Sequence, residues 1–162
     1  MKKVLITAAA VLALVLTAGS PVAEAVGNGS RFVAHLDATD AGTDSPAQGQ
    51  VIFSLSKDGS RLHFKLIVAN LENVTMAHIH LAPPGENGPP VVWLYPSRPP
   101  MLMIGGETNG LLSQGTITEN DLVDLLMGGT LEDLLAEMMM GRTYVNVHTV
   151  ENPAGEIRGQ IR

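Results

Sequence analysis

The chain contains no cysteine, and its aromatic side chains are few: three Phe, two Tyr and one Trp in 162 residues. Without cysteine there is no disulfide framework and no thiol for lipid attachment, so stability must come from packing or from a bound metal. Scarce aromatics remove the usual stacking platform for bases and sugars. Positive charge is scarce as well, with 10 Lys and Arg against 16 Asp and Glu and a net charge of −6 at pH 7. An acidic surface repels nucleic acid and anionic membranes and attracts cations. Long hydrophobic runs are missing too. The one unbroken apolar stretch, Val4 to Ala18, falls short of the roughly 20 residues that a membrane-spanning helix needs. These absences leave a chain with no nucleic-acid partner and no membrane span.

That apolar stretch follows Lys2 and Lys3 and precedes Ala23-Glu24-Ala25. A basic start, a short apolar run and a small-x-small site make residues 1–25 a secretory signal peptide, with cleavage expected after Ala25. Residues 26–162 then form one domain, secreted or held in the periplasm or cell envelope.

The remainder alternates in short runs. Phe32, Ala34 and Leu36 share one face, opposite Val33, His35 and Asp37, which predicts a strand. A polar loop follows from Asp37 to Gln48. Gly49 to Ser56 and Arg61 to Asn70 flank Lys57-Asp58-Gly59-Ser60 and read as a hairpin, with Leu62, Phe64, Leu66 and Val68 inward and His63 and Lys65 outward. Thr75 to Leu81 and Pro89 to Tyr95 are two further strands, and Pro96 to Gly110 reads as a long loop with an apolar tip. From Thr118 the period changes. Thr118 with Asp121 and Thr130 with Asp133 resemble capping boxes ahead of leucine stripes, which predicts two short helices joined by Gly128-Gly129. Thr143 to Thr149 and Glu156 to Arg162 close the chain as strands. The expected fold is mainly β: an antiparallel, Greek-key-like sandwich of immunoglobulin or superoxide-dismutase type with a short two-helix insertion.

Three of the five histidines fall into one pattern. On a strand, residues i and i+2 project from the same side, so His78 and His80 face one way while Ala77, Ile79 and Leu81 face the core. In Thr143 to Thr149, Val145 and Val147 face inward and Tyr144, Asn146 and His148 outward. If these strands are neighbours, three imidazoles converge on the outer face, a donor set suited to copper or zinc. His35, outward on the first strand, is a candidate fourth ligand, against a plain surface role. Met101 and Met103 are candidate soft ligands covering the site, while for Met138 to Met140 the helix pattern already explains core burial of at least one. Tyr144 and Asn146 are candidate hydrogen-bond partners that fix the tautomer of His148.

The segments Phe32 to Leu36, Ala77 to Leu94 (AHIHLAPPGENGPPVVWL), Gly115 to Thr118 and Thr143 to Ile161 (TYVNVHTVENPAGEIRGQI) together resemble the CHRD (chordin-like) domain. The resemblance spans almost the whole of residues 26–162 and implies an immunoglobulin-like sandwich without a defined activity. Where family members carry a Glu-Val-Pro-Pro segment after the first strand, this chain has Asp37-Ala38-Thr39-Asp40. A fainter likeness is to copper/zinc superoxide dismutase, whose copper is held by a His-x-His strand and by a histidine on a later strand; His78, His80 and His148 follow that order. The bridging histidine, the zinc loop, the disulfide and a guiding arginine have no counterparts. The reading that follows is a secreted protein that binds a transition metal, copper ahead of zinc, through His78, His80 and His148, for binding or storage rather than catalysis. Its rivals are an extracellular interaction or adhesion module without metal, with an unidentified protein partner, and a copper-dependent redox enzyme.

Overall fold

The computed structural model describes residues 29–162; the expected signal peptide lies outside the described residues. Among the described residues there are seven antiparallel strands: β1 (Arg31–Asp37), β2 (Gln48–Leu55), β3 (Leu62–Leu81), β4 (Pro90–Tyr95), β5 (Ile104–Ile117), β6 (Thr143–Thr149) and β7 (Ile157–Gln160). Two helices, α1 (Ala38–Ala41) and α2 (Leu131–Met139), complete the fold.

The mainly β, antiparallel class is as the alternation predicts, but the sheet closes on itself instead of dividing into two facing layers. The β1/β2 hairpin joins β3, β3 joins β6, β6 joins β7, and β7 returns to β1. Five strands therefore form a closed barrel, with β4 and β5 attached to the outer edge of β3. The reason is the length of β3. Sequence reading gives two strands here, Arg61 to Asn70 and Thr75 to Leu81. In the structure Asn70 and Asn73 take left-handed backbone conformations, φ 58° and 50°, which Asn tolerates better than most residues. They are absorbed as bulges, and the strand continues with Leu71 fully buried. One edge of β3 then carries β2 followed by β6, and the other carries β5 followed by β4.

Two further expectations are corrected. Ile104 to Gly110, read as part of a loop, begins the 14-residue strand β5. Its largely exposed edge position lets glycine and polar residues stand where a buried strand would show apolar alternation. The first of the two predicted helices is replaced by 3₁₀ turns at Glu119–Asp121 and Asp124–Leu126. Asp121 does accept from the Thr118 backbone, but Leu122 is drawn into a bridge with Val92 and Asp124 takes a positive φ of 50°, so no helix propagates. The second helix, α2, forms with its capping box complete: Asp133 and Thr130 exchange backbone and side-chain bonds, and Leu131, Leu134, Leu135 and Met138 are buried.

The core fixes strand parity. Phe32, Ala34 and Leu36 of β1, Leu62, Leu66 and Val68 of β3, and Val145 and Val147 of β6 are buried as predicted. Ala77 and Ile79 are fully buried and opposite Val147 and Val145. Burying each larger aliphatic side chain contributes about 1.5–3 kcal/mol. A one-residue slip would exchange these side chains for histidines, so the register is strongly specified.

Closure between β1 and β7 depends on Gly159. Val33 and Arg162 exchange backbone hydrogen bonds of 2.8 and 2.9 Å, and a Cβ at Gly159 would run into the carbonyl of His35 on β1. Gly159→Ala is accordingly expected to destabilise the protein by about 3 kcal/mol in denaturant unfolding. Gly105→Ala, with open space around it, should stay within about 0.5 kcal/mol of the parent. Equal stability of the two variants would refute the close β1/β7 approach.

Candidate metal centre

Register brings the expected histidines together. On β3 and β6, His78 lies opposite Asn146, His80 opposite Tyr144 and His148 opposite Met76, so the face that avoids the barrel core carries all three imidazoles. Ring centroids are 5.1 Å apart for His78 and His148, 5.6 Å for His78 and His80, and 5.7 Å for His80 and His148. One ring nitrogen from each lies within 4.8 Å of the others, and among the described residues no carboxylate joins the group.

The outward direction is as predicted, but this face is not a surface. His78, His80 and His148 are only 4, 7 and 6% exposed, because the chain folds over them from three sides. Residues 83–88 cover His80, residues 152–155 cover His148, and Trp93 on β4 stands perpendicular to His78 with ring centroids 4.2 Å apart. Both covering turns need glycine. A Cβ at Gly88 would meet the Leu81 carbonyl, and one at Gly155, whose φ is +124°, would meet the Asn146 amide.

The covers also determine which ring nitrogens carry protons. His80 Nδ1 lies 2.9 Å from the Gly88 carbonyl and His148 Nδ1 lies 3.0 Å from the Pro153 carbonyl. A carbonyl only accepts, so both Nδ1 atoms are protonated and both Nε2 atoms keep a lone pair. The Nδ1 of His78 stands 3.2 Å from His148 Nε2 and donates to it. His78 Nε2 and His80 Nε2 are buried without a hydrogen-bond partner. Burial holds His78 at a pKa of about 3, with the neighbouring His148 and His80 adding to the shift. Burial likewise lowers His80 to about 4, against the opposing bond to Gly88, and lowers His148 against its bond to Pro153. At neutral pH the centre is three neutral imidazoles.

The other predicted residues divide. Tyr144 stacks on His80 at 4.9 Å and its hydroxyl accepts from the Gly88 N–H at 3.3 Å, so it supports His80 and its cover. Asn146 holds the Ala154 carbonyl at 2.9 Å. Neither sets the tautomer of His148, a role taken by Pro153. His35 is exposed beside Gln50 on the β1/β2 pair and stands outside the group. Met101 and Met103 are 58 and 57% exposed, just before β5. Sequence reading overlooked Trp93 and Arg158. The guanidinium of Arg158 lies 3.9 Å from the Tyr144 ring centroid and donates to Asn87 Oδ1 and the Glu86 carbonyl, both at 2.9 Å. The proline-glycine turns at 83–88 and 153–155, each near a histidine strand, were the available signal that the face is covered.

Residues 32–161 match the CHRD domain, and the chain belongs to the CHRD domain family. Neither a curated protein nor a solved structure matches it. Among the described residues no helix is long and apolar enough to cross a membrane.

A histidine whose pKa is lower in the folded than in the unfolded state binds fewer protons when folded. Its contribution to stability is therefore complete above about pH 6.5 and is lost as the pH falls towards the folded values. For the metal-free protein, unfolding free energy should decline from pH 6.5 to 5, before most carboxylates titrate, by up to about 1.4 kcal/mol per pH unit for each histidine. His78→Asn should remove about one histidine's share of that slope. A flat profile, or a slope unchanged in the variant, would contradict the buried neutral centre.

Proposed function

We propose that this member of the CHRD domain family is an extracytoplasmic protein that binds a transition ion, copper ahead of zinc, through His78, His80 and His148. The observation that carries this reading is the pair of buried, unpartnered Nε2 atoms on His78 and His80 beside the lone pair of His148. A buried polar atom left without a partner costs on the order of 1–3 kcal/mol, and a metal ion gives such lone pairs a common partner. His80 and His148 keep their carbonyl bonds while they offer Nε2, the usual arrangement of metal-binding histidines.

Copper is placed ahead of zinc because imidazole accepts both ions and the Irving–Williams order favours Cu(II) at equal availability. CHRD domains are extracellular-type modules, and the signal peptide read in residues 1–25 would deliver the chain beyond cytoplasmic metal buffering. Holding the ion is the favoured role, since no carboxylate stands in the group for acid/base work. An interaction module without metal has the exposed apolar residues Met101, Leu102, Leu111 and Met127 in its favour. It leaves the buried imidazoles unexplained.

The single Trp supplies the test, because Trp93 touches His78. Titration with Cu(II) should quench its fluorescence to an endpoint of one ion per chain, and zinc should bind without comparable quenching and be displaced by copper. His80→Ala should abolish saturable binding by calorimetry while His35→Ala leaves it unchanged. Undiminished affinity in His80→Ala would eliminate the site, and preferential retention of zinc would eliminate the copper assignment.

A further inference from the structure

Resting on the three-histidine reading, we infer that the ion this centre is built to hold is Cu(I), and that Arg158 biases it away from Cu(II). All three ligands are neutral, and among the described residues no carboxylate belongs to the group. Each imidazole is nine-tenths or more buried. The cost of taking an ion out of water rises as the square of its charge, so a low-dielectric site with neutral ligands penalises a doubly charged ion far more than a singly charged one. Cu(I) is also satisfied by three nitrogen donors, whereas Cu(II) prefers a tetragonal set completed by further nitrogen or oxygen ligands.

Arg158 adds a fixed positive charge to this balance. Its side chain is part of a stack that crosses three strands: His80 on β3, Tyr144 on β6, then the guanidinium on β7, with successive separations of 4.9 and 3.9 Å. Arg158 is 9% exposed and, among the described residues, has no carboxylate oxygen within 4.0 Å; its polar partners are the neutral Asn87 side chain and the Glu86 carbonyl. Asp37 lies opposite Arg158 on β1, but its carboxylate is engaged in capping α1 through the Asp40 N–H at 2.9 Å. Among the described residues the cation beside the centre therefore makes no direct ion pair. Its field repels Cu(II) about twice as strongly as Cu(I), because the pair energy is proportional to the ion's charge.

The test uses the full folded protein and the copper ions themselves. Affinities are measured by competition with chelators of known strength, anaerobically with a reductant for Cu(I) and in air for Cu(II), and the midpoint potential of the bound couple is recorded. Cu(I) should bind at least tenfold more tightly than Cu(II). Arg158→Gln should shift the preference about tenfold towards Cu(II), lowering the potential by about 59 mV, the tenfold equivalent for one electron. Arg158→Lys, which keeps the charge, should restore it. Tighter Cu(II) than Cu(I) binding in the parent protein would overturn the inference without needing any variant to fold. An unchanged potential in folded Arg158→Gln would overturn the role of Arg158. If neither copper ion binds, the three-histidine reading itself fails; if both bind with the opposite preference, only this inference does.

Discussion

The two-residue period of β3 and β6 ties the core of this protein to its candidate site. Ala77, Ile79, Val145 and Val147 point into the barrel, and the same alternation sends His78, His80 and His148 to the other face. Core packing therefore decides the placement of the three imidazoles. No separate device is needed to gather the imidazoles once β6 lies beside the second half of β3. That neighbour relation depends in turn on β3 running through its Asn70 and Asn73 bulges without ending. Closure of the ring at Gly159 then carries Arg158 to the far side of Tyr144, within reach of the cover over His80.

What converts three neighbouring imidazoles into a specific environment is the cover. The turns over His80 and His148 exclude water and turn one carbonyl towards each Nδ1. Exclusion of water makes protonation unfavourable, and the carbonyls select the tautomer with a free Nε2. The same burial that keeps the rings neutral leaves two ring nitrogens without partners. The fold thus tolerates a local cost on the order of a few kcal/mol, set by the usual penalty for unpaired buried groups.

Much of this was legible in the chain. The alternation in Arg31 to Leu36 and Thr143 to Thr149 marks the inward faces, and the parity of Ala77 to Leu81 identifies His78 and His80 as companions. The spacing could not reveal which strands are neighbours, since pairing between residues 70 positions apart leaves no local trace. Nor could it distinguish an outer face that is exposed from one covered by turns. The continuity of β3 between its two predicted strands was not legible, because its bulged centre is held by tertiary pairing to β5. Strand β5 was missed because an exposed edge has no need of apolar alternation. Trp93 gave no hint of its role because its partner, His78, is reached only through the β3/β4 register.

The central claim is that His78, His80 and His148 together ligate one ion. Anomalous diffraction at the copper edge from crystals of the copper-loaded protein tests it most directly. The account predicts one strong peak per chain, enclosed by the three rings at about 2.0–2.1 Å from each ligating nitrogen, with the carbonyl bonds of His80 and His148 retained. A peak at Met101 and Met103, at His35, or among surface carboxylates, with none between the three imidazoles, would contradict it.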